Sequence, residues 1–503
     1  MVFPLWSGFK YFPHQLEGIN WMIDKENNGT RVWDPTGTKI VDVYGGFQCD
    51  DMGLGKTIQI VSTIANNPEK LTLILAPLAM VETWSSVCIR AGFSVYEVEK
   101  SKWFCKNPAA KCPVRFLKLR PNVYVTNYEK LIHNPAIFAK QWDRIILDEA
   151  HKIRNGSGQF AAAVRRLSAS IRWVVTGTPL VNSLKDIVSL LAFLGVPYTP
   201  SFSWSSHYMT FLPHLLLHRS MESIRSVIKG APPIPEIVTE VLPFISEEEE
   251  EFYKGVQCTD EALLKKYARD VMSSVQSFQL LLRLRQLSVH PQVYVNAKRR
   301  EDSSYDRENW GQLTTKFERV KDIISEDDDD RVHKYIVFCQ FMEEMEMLAA
   351  ELDEFVPHVL MYHGSLKQSE RTKVLATSKA TTKTTVLLLQ LQAGGVGLNL
   401  QEYDRIIFVS PWWTSALMDQ AIARAVRMGQ TEVVKVYHLK LALETENSAL
   451  INIDETMHSK ADEKRRMLEK IFTDCAKALE PAETVDETVD ETVDDLVPGE
   501  VRA

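Results

Sequence analysis

The stretch Asp50-Asp51-Met52-Gly53-Leu54-Gly55-Lys56-Thr57 decides how the chain is read. Its last three residues enter a helical run, 58–64, and together they form a phosphate cradle. Small residues let backbone N–H groups approach the phosphates, and the helix start adds a partial positive charge. In that reading Lys56 reaches the β and γ phosphates and Thr57 offers its hydroxyl to Mg²⁺. The usual loop has a glycine five residues before its last one, where Asp50 stands here. The competing reading is a glycine-containing turn before a surface helix, so the octapeptide needs partners elsewhere in the chain.

Upstream, Gly45-Gly46-Phe47-Gln48-Cys49 reads as a short strand feeding the cradle, preceded by a polar segment, 24–42. Before that, apolar residues at 16, 19, 22 and 23 have helical spacing. Gln15, at the start of this helix, is either a polar entry residue or a side chain whose amide reads an adenine edge. Downstream, 71–76, 123–126, 144–147 and 172–175 are continuously apolar or β-branched, as strands covered on both faces must be. The runs 79–90, 158–168 and 184–194 read as the intervening helices, which predicts a parallel, doubly wound α/β domain. Ligands in such sheets bind beyond the carboxyl ends of strands. There Asp148-Glu149-Ala150-His151 follows one strand, and Thr176-Gly177-Thr178-Pro179 follows another. A lone Asp-Glu pair is usually a solvated loop. Two carboxylates against an apolar strand end, in a chain with Gly-Lys-Thr, are better explained by metal: Asp148 holds Mg²⁺, and Glu149 orients and deprotonates the attacking water.

Prolines at 197, 200, 213, 232, 233 and 235 then break the rhythm and predict an irregular connection near 230–235. Glutamates 247–251 charge the start of a surface helix, with Phe252 and Tyr253 turned inward, and 277–289 is an amphipathic helix ending at His290-Pro291. An Asp-rich linker, 327–330, precedes a second alternation, with strands at 335–338, 359–362, 385–389, 405–409 and 433–437 and helices at 342–352, 367–377 and 415–426. The architecture appears twice but Gly-Lys-Thr once, so the second domain is a partner to the nucleotide site. Its contribution is the segment from Gln420 to Gln430. Arg424 and Arg427 lie three apart on one helical face and can point together across a cleft. A planar, always charged guanidinium suits phosphate oxygens, although two arginines on an exposed helix are common in any protein.

The bulk numbers bound this reading. A chain of 503 residues exceeds one hydrophobic core. The divisions expected are a nucleotide-binding lobe (1–235), a helical insertion (236–312), a second lobe (313–445), a helical segment (446–480) and a disordered acidic tail (481–503). The formal charge is −8, and residues 480–503, with nine acidic side chains and one arginine, account for all of it. The body is neutral, so any groove for nucleic acid must come from local placement of Lys and Arg. The tail repeats Glu-Thr-Val-Asp three times and lacks aromatics, which suits a solubilising segment. Seven scattered cysteines (49, 88, 105, 112, 258, 339, 475) without Cys-x-x-Cys fit a reducing compartment, and Cys88, Cys105, Cys112 and His133 lack zinc-finger spacing. No apolar run approaches the about 18 residues of a membrane span, and the first residues lack a signal pattern, so a soluble intracellular protein is expected.

The ordered set Gln15, Asp51 to Thr57, Leu75-Ala76-Pro77-Leu78, Asp148 to His151, Thr176-Gly-Thr-Pro-Leu-Val-Asn182, Tyr362-His363-Gly364, Ala393-Gly-Gly-Val-Gly-Leu-Asn-Leu400 and Gln420 to Gln430 resembles the Swi/Snf-type ATPases of helicase superfamily two. The resemblance spans roughly residues 11–440. The Pro13-His14-Gln15 opening is similar to the branch containing helicase-like transcription factor, without that branch's RING insert. The resemblance implies two tandem RecA-like lobes and an ATP- and Mg²⁺-dependent motor on double-stranded DNA, acting in chromatin remodelling, repair or transcription, with nucleosomes as a further partner. It implies a monomeric motor in a nucleus or a virus-infected cell. By position, Gln15 would read adenine, Asp51 to Thr57 would hold the nucleotide together with Gln420, and Arg424 and Arg427 would act across the cleft. Leu78, Tyr128, Gln340, Gly394 and Trp413 would face DNA. Relatives usually carry other residues where Ser410, Thr414, Ser415, Ala423 and Val426 stand, which touches coupling more than phosphate binding. A nucleotide-gated clamp with little turnover is the alternative from a different class.

Overall fold

The computed structural model describes residues 2–33, 39–107, 121–179, 185–197, 207, 210–259, 274–327, 331–394, 398–443 and 450–479. Leu180 to Asn182, Asp328 to Asp330, Gly395 to Gly397, Cys112 and the acidic tail lie outside the described residues.

Fifteen strands are described: β1 (Thr30–Trp33), β2 (Ile40–Gln48), β3 (Leu71–Ala76), β4 (Ser94–Glu99), β5 (Lys102–Cys105), β6 (Asn122–Asn127), β7 (Arg144–Asp148), β8 (Ile171–Val175), β9 (Leu216–Leu217), β10 (Glu236–Leu242), β11 (Lys334–Cys339), β12 (His358–Tyr362), β13 (Thr385–Gln390), β14 (Arg405–Phe408) and β15 (Lys435–Leu441). The first sheet runs β1-β2-β8-β7-β3-β6-β4-β5, with β9 added to β2. Its centre is parallel, and antiparallel pairs close both edges. Ile145, Ile146 and Leu147 on β7 are fully buried, and separate apolar clusters cover the two faces. The expected doubly wound arrangement is present, and each apolar run forms a central strand because both of its faces are covered.

The second sheet is parallel throughout, in the order β10-β15-β14-β11-β13-β12, again between two apolar clusters. Residues 236–242 were expected to open the helical insertion. They form β10 instead, an edge strand pairing with β15 over Glu236 to Leu242. The first lobe also gains β4 and β5, which no apolar run announces. Lys100 and Ser101 join them with φ of 41° and 65°, the positive pair that a two-residue hairpin turn requires.

The helices that matter for the site are α1 (Pro13–Asn28), α2 (Lys56–Asn66), α3 (Leu78–Arg90), α4 (Tyr128–His133), α5 (Ser274–Val289), α6 (Pro291–Glu301), α7 (Thr315–Glu326), α8 (Ser415–Ile422) and α9 (Ile453–Lys477). α9 ties the two lobes together. At its start Ile453 and Met457 pack on Leu280 and Leu284 of α5. There the buried Asp454 pairs with Lys316 of α7 at 2.8 Å, and the same amine reaches Ser288 and Ser410. Near its end Ile471 and Cys475 join the core of the first lobe, and Phe472 stacks on His218 with ring centroids 3.6 Å apart. Among the described residues no helix is long and apolar enough to cross a membrane, and no cluster of His, Cys, Asp or Glu forms a metal cage.

Candidate nucleotide site

The loop of residues 50–57 connects β2 to α2 at the carboxyl edge of the first sheet. Gly53 and Gly55 have φ of 86° and 81°, and a Cβ on Gly55 would lie 2.5 Å from the Gln15 amide nitrogen. Both positions therefore demand glycine. Asp50, the departure from the usual loop, is fully buried beneath it. Its carboxylate accepts from Arg219 Nε at 3.0 Å and Nη2 at 2.6 Å, and from the amides of Gln48 and Gln59, each at 2.9 Å. Burial alone would push this carboxyl up. The Arg219 hydrogen bonds and charge, with the two amides, more than reverse that and hold it below its ordinary value. Arg219 also donates to the His14 carbonyl. This anchor escapes sequence reading because its two halves lie 169 residues apart.

Lys56 folds back on the loop, donating to the carbonyls of Asp50 at 2.7 Å and Asp51 at 3.2 Å. Thr57 follows it in the first turn of α2. Asp51 accepts the Met221 N–H at 2.8 Å, while Leu54 is buried. Gln15 is buried against the loop, donating to the Leu54 carbonyl at 3.3 Å and accepting the Phe12 N–H at 3.1 Å. It thus caps the start of α1 and supports the loop at once.

Asp148 ends β7, and Glu149 takes a left-handed φ of 48° immediately after it. Glu149 lies 3.3 Å from His151 Nδ1. Burial, and then the charge of Glu149, push the Asp148 carboxyl up. Glu149 goes the other way: burial opposes ionisation, but the His151 ring against it and the charges of His151, Lys56 and Arg424 hold it down. The pair is thus split into a carboxyl that resists charge and a carboxylate that keeps it.

The second lobe closes over this pair. Gln420 on α8 donates its amide to both Glu149 oxygens, at 3.3 and 3.2 Å. Arg424 follows, with burial lowering its pKa against the attraction of Glu149 and Asp148, and burial lowers that of Arg427 as well. The two arginines do not share a helical face. α8 ends at Ile422, and the next residues turn: the Arg424 N–H reaches only three residues back, to the Ala421 carbonyl at 3.2 Å, and the Arg424 carbonyl accepts the Leu400 N–H at 3.0 Å. Beside Gln420, Asp51, Met52, Thr178, Asp419 and Phe472 line a cavity of ≈ 440 Å³ between the lobes.

The residues expected to face DNA divide. Leu78 is 67% exposed at the start of α3, and Gly394 closes the short helix Leu391–Gly394. Gln340 is engaged, accepting from Arg285 and donating to the Pro411 carbonyl at 3.0 Å. Trp413 packs against Leu280, Leu284, Ile453 and Met457. Tyr128 is fully buried, its hydroxyl donated to the Asp148 carbonyl at 2.7 Å. That corrects its expected place on the polymer side, since the ring that the sequence puts next to a loop is drawn under β7.

The chain matches the SNF2-related domain over residues 14–293 and the helicase conserved C-terminal domain over residues 315–429. It is 28% identical over 484 residues to a probable global transactivator of Orgyia pseudotsugata multicapsid polyhedrosis virus, covering 91% of each chain. It is 25% identical to the chromatin structure-remodeling complex subunit snf21 of Schizosaccharomyces pombe, covering 86% of this chain and 37% of that one. The chain therefore spans nearly all of the viral relative and well under half of the yeast subunit. Among solved structures it is similar to the Sulfolobus solfataricus SWI2/SNF2 ATPase core in complex with dsDNA, at 21% identity, 95% and 97% coverage and a TM-score of 0.38. With the first of these matches spanning more than half of the sequence, the chain belongs to the SNF2-related family of helicase-like ATPases.

Proposed function

We propose that this ATPase is a translocase on double-stranded DNA whose two lobes close on ATP and Mg²⁺, hydrolyse, and reopen. The observation that carries the reading is the contact of Gln420 from the second lobe with Glu149 of the first, since it makes the catalytic carboxylate depend on how the lobes sit. Gln15 and residues 51–57 hold the nucleotide. Lys56 leaves its loop carbonyls for the β and γ phosphates. Glu149, kept ionised, accepts a proton from water as its oxygen bonds to the γ phosphorus. The bond to the β–γ bridging oxygen breaks, and Arg424 and Arg427 face the charge on the departing groups. Thr57 and Asp148 would hold Mg²⁺. A hydroxyl and a carboxylate are the hard oxygen donors it takes, and a cation there offsets the burial and the Glu149 charge that push Asp148 up. When bound, the ion neutralises the β and γ oxygens.

Duplex DNA as the track is supported by the chromatin-remodeling relative and by the twofold lobe architecture, and grip on phosphates would alternate between the lobes. Leu78, Gly394 and the neighbourhoods of Gln340 and Trp413 are the proposed DNA side. The Pro13-His14-Gln15 opening supports a place beside the helicase-like transcription factor branch, in a nucleus or a virus-infected cell. ATP turnover measured without polymer and with duplex DNA, single strands, RNA and nucleosomes tests the proposal. Stimulation by duplex DNA is expected. Tight ATP binding with negligible turnover on every polymer would instead favour a nucleotide-gated clamp.

A further inference from the structure

Two side chains outside the nucleotide loop close on Asp148. Trp84, midway along α3 and fully buried, donates its indole Nε1–H to Asp148 Oδ2 at 2.7 Å. Tyr128, the first residue of α4, donates to the Asp148 carbonyl from below. The other carboxylate oxygen, Oδ1, accepts the Glu149 N–H at 3.1 Å. The rotation of the carboxylate is thereby set from both sides. An indole can only donate, so Trp84 holds the oxygen form and offers nothing to a carboxyl turned the other way. The same bonds brace the left-handed turn at Glu149, where a residue with a Cβ stays only if its surroundings hold it.

α3 gives this contact a reach beyond the site. The helix begins at the exposed Leu78, beyond the carboxyl end of β3, and Trp84 stands six residues further along the same rod, about 9 Å away. A shift of the exposed end is a shift of the indole. Tyr128 likewise opens α4 at the carboxyl end of β6, which pairs with β3.

We propose that Trp84 is a positioning residue for Asp148, seconded by Tyr128, and that α3 carries the state of its exposed end to that carboxylate. The metal half of this proposal concerns Asp148 alone, and the relay rests on the translocase reading above.

The test replaces Trp84 in the full-length chain by Phe, which keeps most of the ring and removes the donor. A second replacement, benzothienylalanine, keeps the bicyclic volume without an N–H and serves if Trp84→Phe packs poorly. Mn²⁺ titration followed by electron paramagnetic resonance, with a non-hydrolysable ATP analogue present, reads metal affinity. Fluorescent nucleotide binding without metal reads the loop separately, and turnover with and without duplex DNA reads the relay. Both replacements should weaken Mn²⁺ about 10- to 100-fold, the loss usual when the partner orienting a metal ligand is removed, and leave metal-free nucleotide binding within about 2-fold. At saturating metal, kcat with DNA should fall relative to kcat without it, while KM for ATP holds. Wild-type Mn²⁺ affinity and an unchanged stimulation ratio in both variants would overturn the proposal. A wild-type chain that duplex DNA does not stimulate would overturn the translocase reading and the relay together, and the Mn²⁺ titration would still decide whether Trp84 positions Asp148.

Discussion

Replacing Arg219 by Met should unseat the nucleotide loop from beneath. Asp50 is fully buried and takes two charge-assisted hydrogen bonds from Arg219, whose Nη2 also serves Gln59 at 3.0 Å. Methionine preserves much of the volume and leaves a buried carboxylate with only the Gln48 and Gln59 amides. Removing one partner of a buried pair costs about 3–5 kcal/mol, because the remaining charge stays desolvated and uncompensated. For a unit the size of the first lobe, each kcal/mol lowers the midpoint by roughly 2–4 °C, so its transition should fall by about 6–20 °C.

The pH dependence gives the argument its sign. In the wild type the Asp50 carboxyl is held below its unfolded value. Its contribution to stability is present above that value and lost as pH falls through the folded one. In Arg219→Met the counter-charge is gone and burial raises the same carboxyl. The deficit should therefore be largest at neutral pH and shrink on acidification, as Asp50 takes up a proton and no longer needs a cation. Asp50→Asn combined with Arg219→Met mimics that neutral state and should recover most of the loss at pH 7. Guanidinium unfolding of the wild type, both single variants and the double variant at pH 7 and pH 5 closes the cycle. A loss below about 1 kcal/mol at pH 7, or a double variant no better than Arg219→Met, would refute the view that a buried ion pair seats the loop.

Three further outcomes follow from other parts of the molecule. Arg427→Ala should lower kcat by about 10³-fold or more while ATP affinity holds, checked by turnover assay beside nucleotide titration. His290 is buried, and its Nδ1 accepts the Gln292 N–H at the start of α6, which requires the neutral ring; burial lowers its pKa to about 4. The unfolded chain therefore takes the proton first. Stability is complete above the ordinary value of 6.5 and falls by about 3 kcal/mol as pH drops towards 4, a loss that His290→Asn should abolish in denaturant titrations because Asn caps without titrating. Phe472→Ala removes the stack on His218 and should cost the docking of α9 about 1.5–3 kcal/mol, seen as about 10- to 100-fold faster proteolysis near the end of that helix.

What could be read before the fold was known depended on which faces each residue shows. Central strands such as β3 and β7 announce themselves because both of their faces are buried, and the loop announces itself because φ above zero demands glycine at 53 and 55. β10 stayed hidden. As an edge strand it leaves Ile237 and Val241 exposed and buries only Leu242, so neither a continuous apolar run nor a clean alternation marks it, and three prolines just before it suggest irregular chain. The arginine segment differs from its local pattern, which favours a longer helix. Past Ile422 the backbone tightens, the Arg424 N–H reaching only to the Ala421 carbonyl, and a residue remote in sequence, Leu400, takes the Arg424 carbonyl. Arg219 and Trp84 left no local trace at all, since their meaning depends on partners at 50 and 148.

α9 determines where the closed arrangement of the lobes can give way. Its start is fixed by the buried Lys316–Asp454 pair, with side chains 1% and 0% exposed, which would cost several kcal/mol to break by removing a partner. Its end is fixed by Ile471, Phe472 and Cys475 in the first lobe. Between them, Arg465 reaches Asp419 at 2.8 Å, but with side chains 42% and 50% exposed that pair holds at most about 1 kcal/mol. Beside it Lys464 donates to the Trp413 carbonyl at 2.9 Å, so the start and the middle of this 25-residue rod both hold to the second lobe. Met418, Ala421 and Ile422 seat α8 in the core of the second lobe, so moving Gln420 off Glu149 moves that lobe as a body, and the contacts that α9 makes with the first lobe through Ile471, Phe472 and Cys475 are the ones that must yield.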